Sequence, residues 1–100
     1  MKVYNLTLAA EEDLLGIWRD TFDKWGFKQA ENYFDQIEAC CEAVGNGQTR
    51  SRKFDQLSGD VRIYRCKHHY IIWMGENLPT IIAILHERMD FMQRLEGRVS

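Results

Sequence analysis

The sequence predicts an α+β domain: an antiparallel helical hairpin packed on a small antiparallel sheet of three to four strands, which an N-terminal strand also joins, with a short C-terminal helix. Three observations predict it. Two successive segments carry apolar residues at helical spacing with almost nothing between them. Three later segments, each about six residues long, are rich in Ile, Tyr and Trp and are separated by turn residues. The chain has 100 residues, 45% of them apolar, which suits one domain with one core. Residues 1–100 are therefore read as a single domain.

Val3-Tyr4-Asn5-Leu6-Thr7 alternates for a few residues and reads as a short strand. Thr7 then serves as an N-cap, its hydroxyl accepting from a free N–H of the next turn. Glu11, Glu12 and Asp13 follow, where the helix dipole favours negative charge. Leu14, Ile17, Trp18, Thr21, Phe22 and Trp25 form one helical stripe, and Gly26 ends it. Ala30, Tyr33, Phe34, Ile37, Cys41 and Val44 form a second stripe, closed by Gly45-Asn46-Gly47. The short link predicts a hairpin packed through these stripes.

Residues 48–60 are polar and read as a loop. Val61 to Cys66, His69 to Met74 and Thr80 to His86 then read as an antiparallel meander, with Gly75-Glu76-Asn77 as turn residues and Pro79 at a strand start. Ile81 to Leu85 is apolar on both faces, which predicts a central strand. Met89, Met92, Leu95 and Val99 mark one side of a terminal helix.

Composition narrows the function. No apolar run approaches the roughly 18–20 residues of a membrane span, and the N-terminus has no signal-peptide pattern, so the expected compartment is the cytoplasm and no membrane partner is expected. Three cysteines without a secretion signal argue against a disulfide framework. Net charge is −2. Residues 1–49 are acidic, whereas 50–69 hold Arg50, Arg52, Lys53, Arg62, Arg65 and Lys67 against Asp55 and Asp60. That is a local positive patch, which either faces an acidic partner or balances the acidic helices.

No phosphate loop, zinc-protease histidine pair, serine elbow or dinucleotide turn is present in the sequence. Cys40-Cys41 looks like a redox pair, but neighbours on a helix point about 100° apart and the spacing is not Cys-x-x-Cys. Cys41 is expected in the core with Cys40 bordering it. Cys66-Lys67-His68-His69 with His86 looks like a metal set but lacks zinc-site spacing, so packed imidazoles suffice and no metal or cofactor is expected. The Trp18/Phe22/Trp25 stripe is expected to be core rather than a ligand box. Arg62, Tyr64, Arg65, Lys67 and Tyr70 interleave cations and phenols, as phosphate binding would, but strand alternation sends Arg62 and Tyr64 to one face and Arg65 to the other. A solvated sheet edge or protein contact is the simpler reading, and direct nucleic-acid binding is not expected.

Taken in order, these residues resemble a known family. Tyr4-x-Leu6-Thr7-x-x-Ala10-x-x-Asp13-Leu14-x-x-Ile17-Trp18 and Trp25-Gly26-x-x-Gln29-Ala30-x-x-Tyr33 resemble the opening of ParE toxins in the RelE/ParE superfamily. Val61-Arg62, His69-Tyr70-Ile71-Ile72-Trp73 and Ile84-Leu85-His86-Glu87-Arg88-Met89-Asp90 resemble its later strands and closing motif. The resemblance implies a toxin of a bacterial type II toxin–antitoxin pair, silenced by a small ParD-like antitoxin. ParE-type members act on DNA gyrase without catalysis; RelE-type relatives are metal-independent ribonucleases that cut messenger RNA at the ribosome. The RelE type is typically strongly basic with a catalytic tyrosine near the C-terminus. Here the pI is about 5.9 and the last tyrosine is Tyr70, which favours the ParE type. The alternatives are a RelE-like nuclease and a decayed toxin that only binds antitoxin. The resemblance implies a target surface of Arg62, Arg65, His69, Arg88, Phe91, Met92 and Leu95, and an antitoxin surface of Leu14, Trp18, Ile63, Tyr64 and Tyr70, with no catalytic residue.

Overall fold

The structure, a computed structural model, describes residues 3–49, 52–53, 60–75 and 77–98. Strand β1 (Asn5–Leu6) leads through Thr7 into helix α1 (Leu8–Trp25). The Thr7 hydroxyl accepts from the Ala10 N–H at 3.1 Å, satisfying one of the donors that every helix start leaves free. Gly26, at φ +90°, is the whole connection to helix α2 (Phe27–Gly45). A side chain at that φ would be strained, so glycine is what allows two helices to meet with one residue between them.

A two-residue strand, β2 (Arg52–Lys53), follows inside the segment read as loop. Then come β3 (Val61–Cys66), β4 (His69–Met74), β5 (Thr80–His86) and helix α3 (Phe91–Leu95). The three long strands lie where the sequence places them. The sheet order is β1-β5-β4-β3-β2. All neighbouring pairs are antiparallel except β1 and β5, which run parallel with Asn5 opposite Thr80. The sheet is thus mixed, not purely antiparallel. No tight turn links β1 to β5; the hairpin and three strands lie between them, and a long connection of that kind is what parallel pairing requires.

In the β4–β5 ladder Ile72 pairs with Ala83 while Trp73 pairs with Ile81, so Ile82 is an extra residue, a β-bulge. Each sheet face carries a core. Toward the helices, Leu14, Ile17, Ile37, Cys41 and Val44 pack against Cys66, Ile71, Trp73, Ile81 and Ile84. On the opposite face, Val61, Ile63, Ile72, Ile82, Ala83, Leu85 and Leu95 form a second cluster, with Tyr70, Met74 and Phe91 against it. Both faces of β5 are therefore covered, as its apolar run predicts. None of the described helices is long and apolar enough to cross a membrane.

Three expectations need correction. Phe22 and Trp25 are not core: they are 42% and 69% exposed. The stripe read along α1 joins two faces of one helix, and only its Leu14/Ile17 side meets the sheet. The terminal helix buries Leu95 and half-buries Phe91, whereas Met89 and Met92 are exposed and Val99 lies outside the described residues. Cys40 and Cys66 are joined by a disulfide, with Cα atoms 6.3 Å apart, and only Cys41 is a free, buried thiol. The pairing is across the fold, from α2 to the end of β3, which spacing along the chain cannot reveal. Finally, Arg50, Glu76 and residues 54–59, and the side chains of Arg52 and Lys53, lie outside the described residues, so the basic patch is seen here through Arg62, Arg65 and Lys67.

Candidate interaction groove

Between the helical hairpin and the sheet end formed by the β3–β4 turn and the exit of β5 lies a groove of about 940 Å³. Its α1 wall carries Glu12, Asp20 and Lys24, with Asp13 paired to Arg98; its sheet wall carries Lys67, His68 and Arg88. The α1 side is thus mixed with a slight acidic excess, and the sheet side is basic. Such a cleft suits a segment with charges of both signs better than a simple anion.

On its floor, the Tyr33 hydroxyl and His69 Nδ1 share a hydrogen bond of 2.6 Å. The His68 N–H approaches the same oxygen at 3.4 Å, so the network assigns the hydroxyl as donor to the imidazole. The His69 ring stands edge-on to His86, centroids 5.1 Å apart. Burial, reinforced by the positive charge His86 and His68 would carry, pushes the His69 pKa down to about 4. His69 is therefore neutral at pH 7, and its Nδ1 lone pair is occupied. Burial also raises the Tyr33 phenol above its ordinary value.

At the rim, Arg65 Nη2 donates to Glu87 Oε1 at 2.6 Å, and His68 Nδ1 lies 2.9 Å from Glu87 Oε2. The His68 hydrogen bond first, and the Arg65 charge second, hold the Glu87 carboxyl below the usual carboxylate range. Arg65 also donates to the Lys67 carbonyl and sits 5.8 Å over the Tyr70 ring. Its guanidinium is engaged on three sides.

The groove opens beside an apolar stripe. Leu8, Leu15, Trp18, Phe22 and Trp25 recur along α1 at the spacing of a coiled-coil seam, and all but half-buried Trp18 are exposed. Trp18 stacks on Phe22 at 5.2 Å and meets exposed Phe27 edge-on at 6.2 Å. Trp25 belongs to both stripe and groove. Residues 4–91 match the family described as "ParE toxin of type II toxin-antitoxin system, parDE".

The chain belongs to the ParE toxin family.

It is 38% identical to "Toxin ParE" of Escherichia coli over 102 aligned positions, covering 99% of this chain and 98% of the relative. It is 29% identical to "Toxin ParE1" of Mycobacterium tuberculosis, covering 92% and 96%. The fold resembles a chain of "Chromosomal ParDE TA system from P. aeruginosa" with a TM-score of 0.69 at 16% identity, over 84% of this chain and 96% of that one.

Within this ParE-family fold the expected site residues scatter. Arg62 and Tyr64 alternate on the helix-facing side of β3, with Arg62 3.7 Å from Asp60. Arg65, Tyr70 and Phe91 gather on the opposite face, Tyr70 meeting Phe91 edge-on at 5.1 Å. His69 and Arg88 line the groove, and Met92 is exposed on α3. Leu14, Ile63 and Leu95 are buried in the two cores, so their side chains hold the fold together and offer no surface to a partner. Trp18 alone of the expected antitoxin set lies on the apolar stripe. Sequence reasoning missed Tyr33 as a groove residue and Glu87 as the hub of the rim. The outer stripe does leave a sequence signal: Leu8, Leu15 and Phe22 recur every seven residues beside the core-facing set.

Proposed function

We propose that this ParE-family toxin inhibits DNA gyrase by direct binding, without catalysis, and that a ParD-like antitoxin silences it by laying an amphipathic helix along α1 and into the groove. The exposed stripe from Leu8 to Trp25, continuous with a cleft that carries charges of both signs, carries the antitoxin half of this reading. An apolar seam with charged flanks is what a partner helix recognises. The family's description as one half of a toxin–antitoxin pair supports it.

The state of the groove supports binding over catalysis. An RNA-cleaving site needs a proton donor and a free cation for the phosphorane. Here His69 is neutral and bonded to Tyr33 through Nδ1, so it offers no imidazolium as a proton donor, and the cations at the groove are Lys67 and Arg88, with Arg65 held by Glu87. Of the expected target residues, Arg88, Arg65, Met92 and Arg62 remain the ones exposed enough to meet gyrase, and all belong to this proposal. The test is gyrase supercoiling of relaxed plasmid with the purified chain added. Inhibition is expected. Unchanged supercoiling by folded protein at micromolar concentration overturns the gyrase reading, and mapping messenger RNA ends after induction then decides whether a ribosomal nuclease replaces it.

A further inference from the structure

We propose that Cys40 and Cys66 are a reversible thiol–disulfide site that fastens α2 to the end of β3, with a low-molecular-weight disulfide such as glutathione disulfide as its co-reactant. The inference stands apart from the gyrase and antitoxin readings. The Cα separation of 6.3 Å lies within the range a disulfide spans. Cys40 is half-buried, whereas Cys66 is 2% exposed, so Cys40 is the more accessible of the two. The entry point and the resolving thiol are thereby distinguished.

The reduced form has a place in the same geometry. Cys66 Sγ lies 3.8 Å from the Gln36 carbonyl oxygen, an acceptor for its S–H. Cys66 keeps its β3–β4 pairing with His69 in either state. Cys41, one residue from Cys40, does not compete: it is 1% exposed, and burial with Glu38 and Glu42 nearby pushes its thiol up to about 12.

The bond's position gives it a consequence. Tyr33 and Gln36 of α2 line the groove, and Cys40 lies one turn further along the same helix. The other side-chain ties from α2 to this end of the sheet are the Tyr33 bonds to His69 and to the His68 N–H. With the disulfide formed, the α2 wall is pinned to the strand that leads into the opposite wall. With it reduced, hydrogen bonds and the apolar packing of Ile37 and Cys41 hold the two together without a covalent tie.

The step balances without further reagents. The Cys40 thiolate attacks one sulfur of glutathione disulfide, forms a mixed disulfide and expels one glutathione thiolate. The Cys66 thiolate then attacks the Cys40 sulfur and expels the second. Two electrons pass from the protein to glutathione, and the two thiol protons end on the released glutathione or in buffer.

The test equilibrates the folded wild-type chain in buffers of stepped reduced-to-oxidised glutathione ratio, quenches in acid, traps free thiols by alkylation in denaturant so that buried Cys41 is counted, and counts them by intact mass. The expected result is a single reversible step from three alkylatable thiols to one, with a Cys40–Cys66 cross-linked peptide in the digest. The oxidised form should melt about 10 °C or more higher, and amides of residues 33–40 should exchange more slowly. Cys41→Ala should titrate identically, and Cys66→Ser should stop at a mixed disulfide on Cys40. Three free thiols at every ratio, or a cross-link that reduced glutathione cannot open in the folded chain, overturns the proposal. So does a cross-link that leaves exchange in residues 33–40 unchanged.

Discussion

Arg98 and Asp13 meet as a two-pronged ion pair over the open edge of β5. Nη1 donates to Oδ2 at 2.7 Å and Nη2 to Oδ1 at 3.3 Å. The same two side chains complete the strand: the Ile84 N–H donates to Asp13 at 3.0 Å, and Arg98 donates to the Ile82 carbonyl at 3.2 Å. Strand β1 pairs only with Thr80 and Ile81, so beyond it the β5 backbone would otherwise present unpaired groups. Side chains from α1 and from the segment after α3 stand in for a missing strand.

Removing either partner should therefore cost stability unequally. Asp13→Ala strips acceptors from both Arg98 and the Ile84 N–H and should cost about 2–3 kcal/mol; Arg98→Ala leaves the Asp13–Ile84 bond and should cost about 1–2 kcal/mol. Urea denaturation at pH 7 measures both. Equal losses would mean that the backbone bond contributes nothing beyond the ion pair.

Trp25 separates stability from partner binding. Its side chain is mostly in solvent, so Trp25→Ser should leave the unfolding free energy within about 0.5 kcal/mol. As an aromatic anchor on the proposed seam, its loss should weaken antitoxin binding by about 2 kcal/mol, roughly 30-fold. Growth rescue by co-expressed antitoxin reads this: rescue by the same antitoxin dose as wild type would remove Trp25 from the interface.

The His69 imidazole makes the fold sensitive to acid. Unfolded, it binds a proton near pH 6.5; folded, only near 4. Between those values the unfolded state holds the extra proton, so stability rises with pH there. The contribution is complete above about pH 6.5 and is lost as pH falls through about 4. Discounted for the ring's partial exposure, it amounts to about 1–2 kcal/mol. An NMR titration of the His69 ring protons should give a midpoint near 4, and a midpoint near 6.5 would contradict the environment described.

Leu95 tests the division between core and surface. It is fully buried beneath the sheet among Val61, Ile63 and Leu85. Leu95→Ala should cost about 2–5 kcal/mol through the cavity it leaves. Met92→Ala, one turn back and exposed, should cost little. If both variants lose toxicity but only Leu95→Ala loses its cooperative melt, Leu95 acts through folding and Met92 through contact.

Much of the architecture is written in local pattern. The period of Leu14 and Ile17, the Thr7 cap, the Gly26 break and the β-branched runs of β3, β4 and β5 each report a short-range preference, and those elements lie where the pattern puts them. The groove is written differently. Tyr33 meets His69 across 36 positions and Asp13 meets Arg98 across 85. Cys40 finds Cys66 across 26. No periodicity encodes such meetings, because they are set by how the hairpin docks on the sheet. The α1 stripe was misleading for a related reason: one helix here has two apolar faces, and composition does not say which one the sheet takes.

The extra residue in β5 has a consequence at the far end of the strand. Side chains of a regular strand change sides at every step. Counting from Ile81, which faces the helices, an unbroken β5 would turn Ala83 and Leu85 toward the hairpin and aim His86 away from it. Ile82 shifts the phase of everything after it. Ile84 then falls into the helix-side core, Leu85 under α3, and His86 beside His69. Pairing Ile82 into the ladder without the bulge would invert that order, swapping the imidazole at the cleft for its neighbours' hydrocarbon, whereas deleting Ile82 would keep it, because Ala83 would then alternate directly with Ile81. The chemistry of the groove is thus timed by one residue that takes no part in it.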